Sequence, residues 1–178
     1  MNMNYTKLEQ KLGKQIEADW HQASGGGWIH KNAKVEKEDN IRDSAIVMGN
    51  AKVSDDVVVS GNAMVAGNAL VYGNAKVSDD AWVFGNAEVY GNAKVYGNAE
   101  VSGNALVYGN AKVSDDALVF GNAWVSGNAK VYGNARVYGN ALVAGNAMVS
   151  GNARVYGNAM VFGNARVSGN TEVYSNKE

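Results

Sequence analysis

The sequence of 178 residues contains no cysteine. That removes disulfides, thiolate nucleophiles and cysteine-based zinc sites together, and it fits a reducing compartment. Proline is absent as well, and histidine occurs only as His21 and His30. Neither sign of charge dominates, with 16 Lys and Arg against 17 Asp and Glu. A balanced chain has no overall field to draw it onto nucleic acid or an anionic membrane, so charge-driven binding has to come from local patterning. No apolar run approaches the roughly 20 residues of a membrane span. The polar start MNMNYTKLEQ also lacks the apolar stretch of a signal peptide. One soluble intracellular domain with no membrane association is expected.

What the sequence has in quantity is glycine, 22 residues, and it is periodic. An aliphatic residue recurs at every sixth position from Ile29 through Ile41, Val53, Val83, Val119 and Val149 to Val173, 25 times without a slip. Two positions earlier stands a small residue, as at Ala33, Ala63 and Ala147, with Asp39 and Val57 the clearest exceptions. Side chains of a strand alternate between faces, so the valine and its small neighbour share one face. Gly-Asn then supplies residues that tolerate the positive φ of a tight corner. The unit is Ala-x-Val-x-Gly-Asn.

Hairpins joined by Gly-Asn could produce the same pattern. Twenty-five strands laid side by side would make a sheet about 120 Å wide, whereas open twisted sheets rarely exceed about 10 strands. Coiling the repeats three to a turn instead buries every alanine and valine and stacks like on like. About eight coils result, roughly 40 Å long at the usual strand spacing. The pattern over residues 29–173 resembles that of the hexapeptide-repeat proteins, in which an aliphatic residue is followed four positions later by a small one. The resemblance implies an all-β, left-handed, triangular parallel β-helix. Within that superfamily, the Gly-Asn-Ala-x-Val-Tyr wording and the lead-in Ser24-Gly25-Gly26-Gly27-Trp28-Ile29 are most similar to uncharacterised phage and prophage repeat proteins. A bacterial cytoplasmic or virion-associated location follows from that likeness.

Ahead of the coils, Leu8, Leu12, Ile16 and Trp20 recur every fourth residue, and Thr6 to Glu9 has the form of a capping box. One amphipathic helix is predicted over Lys7 to about Gln22, within an N-terminal segment 1–24. It is expected to cover the open edge of a β-helix spanning 25–178.

Positions 18 apart stack on one face, which sorts the outward side chains. The first face carries Ile46, Met64, Trp82, Glu100 and Leu118, with Met48, Phe84, Phe120, Tyr138, Tyr156 and Tyr174 beside them. The second carries Leu70, Leu106, Trp124, Leu142 and Met160, with Tyr72, Tyr90, Tyr108 and Phe162. Both are read as apolar. Faces of that length exceed the few hundred Å² a monomer usually exposes, so Trp82, Phe84, Leu118, Phe120, Leu106, Tyr108 and Trp124 are candidates for a subunit interface. The alternative is that the ladders stabilise their own sheets by stacking. The resemblance favours a homotrimer.

The third face is basic, with Lys76, Lys94, Lys112 and Lys130 in one file, followed by Met148 and Arg166. Ser78, Tyr96, Ser114, Tyr132 and Ser150 run alongside. Stacked like charges repel. Three readings stay open: a merely solvated row, compensation by neighbouring corner aspartates, or an anionic ligand held by Lys76, Lys94, Lys112, Lys130, Tyr96 and Tyr132. The near-neutral charge of the whole chain argues against nucleic acid as that ligand.

Resemblance also raises catalysis. Many hexapeptide proteins are acyltransferases with a histidine base, and the γ-type carbonic anhydrases of this fold hold metal with three histidines. His21 and His30 precede the regular coils, no loop interrupts the repeats, and two histidines do not make the metal set. The acidic pairs Asp55-Asp56, Asp79-Asp80 and Asp115-Asp116 replace Gly-Asn at corners. The last two pairs lie two coils apart, about 10 Å, which is too far to share a calcium ion. Two threonines, Thr6 and Thr171, make no ice-binding ladder. The expectation is therefore a non-enzymatic structural or interaction protein without metal or cofactor, assembling through its apolar faces and binding a protein partner. The alternative is a small-anion binder or degenerate acyltransferase with a site between subunits.

Overall fold

Every repeat becomes one short strand and one corner. The β-branched valine suits the extended backbone, and the glycine that follows takes φ near +70°, as Gly85 does at +74° and Gly103 at +70°. An added Cβ at Gly85 would meet the backbone nitrogen and oxygen of Gly103, one coil on, at 3.0 Å. Glycine is thus required at the corner twice over, by the left-handed conformation and by the stacking distance.

The computed structural model describes residues 3–15 and 17–176. Among these residues the strands form three sheets of ten, eight and seven strands, parallel throughout the coils, with successive strands of a coil going to successive sheets. Each strand pairs in register with the one 18 residues later, as Val83 does with Val101 and Lys94 with Lys112. The chain is an all-β parallel β-solenoid of about eight turns with one short N-terminal helix. Backbone donors point toward the following coil: the Lys94, Tyr96 and Asn98 N–H groups donate to Ala111, Val113 and Asp115 carbonyls at 2.9, 3.0 and 2.8 Å. Inside, the alanines and valines form one continuous, fully buried column from Ala45 to Val155.

The N-terminal segment departs from expectation. The helix, α1, covers Met3–Leu12 and not 7–22. Gly13, at φ +77°, ends it and returns its N–H to the Glu9 carbonyl at 2.7 Å. That is the left-handed cap glycine favours, and it overrides the apolar period running on toward Trp20. Thr6 lies within the helix, so it does not cap it, and Ile16 falls outside the described residues. Trp20–Gln22 is a strand, β1, paired antiparallel with β2 at Trp28–His30. The first sheet therefore begins before residue 25.

It is β1 and its loop that close the first coil, where the helix had been expected. In that loop an added Cβ at Gly25 would stand 2.6 Å from the Asp39 and Ile41 carbonyl oxygens, and one at Gly27 2.8 Å from the Ala45 oxygen. Only glycine lets the chain cross the coil this closely, and buried Ala23 plugs the core beneath it. The helix lies instead on the outer side of the first sheet. Leu8 packs there with Trp20, Trp28 and Ile46, flanked by Leu12, Met48 and Met64. Lys11 Nζ donates to the Asn62 carbonyl at 2.6 Å, two coils along; burial lowers the pKa of Lys11, partly countered by Asp80.

Candidate functional site

The corners come first, because they fix what the faces can present. Asparagines at successive coils form ladders in which each Nδ2 donates to the next Oδ1, from Asn50 through Asn68, Asn86, Asn104 and Asn122 to Asn140 at 3.0–3.1 Å. Where Asp80 or Asp116 takes the place, it accepts from Asn62 or Asn98 at 3.0 or 2.9 Å but has no proton to pass on. The preceding aspartates replace glycine itself: Asp43, Asp55, Asp79 and Asp115 sit at φ 59–61°. Each carboxylate accepts the backbone N–H of the glycine one coil later, Asp79 from Gly97 at 3.0 Å and Asp115 from Gly133 at 2.9 Å. Asp43, which accepts from Gly61 at 2.9 Å, escaped notice in the sequence because Ser44 follows it in place of Asp. Reading the corner column alone at intervals of 18 would have found it.

These bonds settle one question about the lysine row. The corner aspartates are engaged with backbone and asparagine, and among the described residues no carboxylate lies within ion-pair distance of Lys76, Lys94, Lys112 or Lys130. Compensation by direct pairing with neighbouring aspartates is therefore not what the fold provides. The four lysines are adjacent in one sheet. Tyr96 and Tyr132 flank Ser114, which is buried. Tyr96, Lys112, Ser114, Asp115, Lys130, Tyr132 and Met148 line a shallow cleft of about 390 Å³. A second, of about 480 Å³, continues from Lys130 and Met148 to Arg166 between Asn128, Asn146 and Asn164.

The apolar faces are less uniform than the sequence suggested. On the first, α1 covers Trp28 and Ile46, and beyond Leu118 the file turns to Arg136, Arg154 and Glu172, the last two paired at 3.2 Å. The second face stays open: Leu106, Trp124, Leu142 and Met160 pair in sequence along the sheet. Trp82, Trp124, Met160 and Phe162 are 48, 47, 61 and 63 % exposed. Of the expected interface residues, Phe84 and Phe120 precede the corner between first and second faces, and Trp124 and Leu106 follow it, so these four gather along one edge of the solenoid. Trp82 and Leu118 begin the first-face strands and Tyr108 ends its second-face strand, so these three sit farther from that edge.

Stacking within each face is also real. Tyr72, Tyr90 and Tyr108 lie parallel at 4.8 and 4.9 Å, and Phe120, Tyr138, Tyr156 and Tyr174 at 4.9, 5.0 and 5.4 Å. Burial in the stack, with Glu88 beside it, pushes the Tyr72 hydroxyl up to about 12. The two histidines stay at the N-terminal end. His21 Nε2 meets Glu38 Oε1 at 3.0 Å. His30 Nδ1 accepts from the Asn32 N–H at 3.3 Å, its ring edge-on to Trp20.

Among the described residues no group of three or more His, Asp or Glu is placed to hold a metal ion, and no helix is long and apolar enough to cross a membrane. Residues 59–73, 111–127, 129–144, 135–151 and 153–169 match the family model of the YdcK beta solenoid repeat. The chain is a β-helix repeat protein. No curated protein matches it.

Proposed function

We propose that this chain is a non-enzymatic structural and interaction protein, a rigid β-solenoid that assembles with copies of itself, as a trimer, and presents its remaining surface to a protein partner. The left-handed sense and phage setting implied by the hexapeptide resemblance belong to the same reading. The observation that carries it is the edge between the first and second faces, where Trp124 and Met160 stand about half exposed or more on a backbone locked coil to coil. Large apolar side chains held in a fixed file lose little entropy on docking, and the aromatic-rich centre of an interface supplies most of its energy.

Native mass spectrometry of the purified protein tests this directly. The wild-type chain is expected to be trimeric, and Trp124→Glu with Met160→Lys to dissociate it to monomers that keep the wild-type circular dichroism spectrum. A wild-type monomer at micromolar concentration overturns the proposal. The basic third face lies away from this edge, so its role does not depend on the assembly.

A further inference from the structure

The third face offers a site with a different chemistry. Four lysines follow one another on adjacent strands. The stacked tyrosines of successive coils lie 4.8–4.9 Å apart, so the row extends over three such steps. None of the four has a carboxylate partner, because the aspartates nearest in sequence are held by glycine N–H groups and asparagine amides. Surface lysines in such a file raise one another's energy, and an extended anion lying along them removes that repulsion at every step.

The lining narrows the class of anion. Beside Lys112, Lys130 and Arg166 stand the carboxylate of Asp115, the amides of Asn128, Asn146 and Asn164, and Ser114. Ser114 is only 6 % exposed and its hydroxyl has no partner among the described residues. Asp115 keeps unused lone pairs after accepting from Gly133, and Asn128 and Asn146 each keep one N–H and one lone pair. A ligand suited to this mixture carries negative charges for the cations and hydroxyl donors for the carboxylate and amides. Polyphosphate has no donor and would face Asp115 with like charge alone. Nucleic acid is disfavoured by a net charge of −1, since its binding domains are basic overall. Tyr96 and Tyr132, two coils apart with Ser114 between them, provide flat surfaces at an interval suited to sugar rings whose like faces recur along a chain.

We propose that the third face binds an acidic polysaccharide, its carboxylates on Lys94, Lys112 and Lys130 and its rings against Tyr96 and Tyr132. The site is linear, runs parallel to the solenoid axis and is complete within one chain.

Isothermal titration of the full chain with polygalacturonate oligosaccharides, at low and at physiological salt, tests it. Binding is expected, weakening as salt rises. The double variant Lys94→Glu, Lys112→Glu should lose about tenfold or more in affinity, the equivalent of a lost charge-assisted contact. Tyr96→Ala with Tyr132→Ala should weaken binding while leaving the salt dependence unchanged, which a purely electrostatic row would not show. Both variants should keep the wild-type melting temperature and subunit number, so that loss of binding is separable from loss of fold or assembly. Absence of binding to polygalacturonate, equal binding of the double lysine variant, or tighter binding of inorganic polyphosphate or oligouridylate in the same titration overturns the proposal.

Discussion

Replacement of Asp115 is the sharpest test of how the corners work. Its backbone is left-handed at φ 59°, a conformation that costs an ordinary L-residue about 1–2 kcal/mol and aspartate somewhat less. Its carboxylate returns part of that cost by accepting the Gly133 N–H at 2.9 Å, an exposed charge-assisted bond contributing about 1 kcal/mol. Asp115→Ala removes the bond and puts in the left-handed region a residue that tolerates it less well than aspartate, so the losses add to about 1–1.5 kcal/mol. Asp115→Gly loses the same bond but relieves the backbone, leaving a net change of about 0.5 kcal/mol or less. Asp115→Asn retains an acceptor and lies between the two. Denaturant midpoints at unchanged slope give these differences. Amide exchange at Gly133 reads the bond itself, and protection should fall in the Ala and Gly variants and persist in Asn. Equal destabilisation by Ala and Gly, or unchanged exchange at Gly133, would refute the account. The same logic explains why Asp43, Asp79 and Asp115 alternate with Gly61, Gly97 and Gly133 in this corner. Each carboxylate needs the next coil's N–H, and aspartates on successive coils would stand one coil spacing apart with like charge.

Three other perturbations separate the layers of the structure. Leu8→Ala removes a buried side chain from the cluster with Trp20, Trp28 and Ile46; it should cost about 2–4 kcal/mol locally, expose the tryptophans to quenching and leave the melting of the coils unchanged, whereas a large fall in melting temperature would mean α1 supports the whole solenoid. Val107→Ala, in the middle of the buried column, should destabilise by about 2 kcal/mol, and a midpoint within error of wild type would show that the coils close over the cavity. The raised hydroxyl of Tyr72, about 12 against an ordinary 10, is neutral in the folded state where the unfolded chain would ionise it. Its stabilising contribution is intact below pH 10 and is lost as pH rises toward 12. Alkaline unfolding of Tyr72→Phe should accordingly begin at higher pH than that of wild type, and identical profiles would remove Tyr72 from the transition.

The sequence by itself determined the coils. A strict period of six puts valine and alanine on one side of every strand, and a coil of 18 residues brings like positions together, so the inner column, the lysine file and the aromatic stacks were all legible at intervals of 18. Repetition makes each contact a restatement of its neighbour, and nothing distant has to be known. The tertiary structure decided everything that breaks the repeat. Gly13 in a left-handed cap ended the helix that the apolar spacing carried on to Trp20, and the pairing of Trp20–Gln22 with Trp28–His30 gave the open edge to a strand and the first face to α1. Those outcomes rest on which surface is left uncovered once the coils have formed, which no local window contains. The partners of the corner aspartates belong to the same class: their spacing is visible in the chain, but whether a carboxylate turns to a lysine or to a glycine N–H one coil later is fixed only by backbone geometry, and that choice is what leaves the lysine row unpaired.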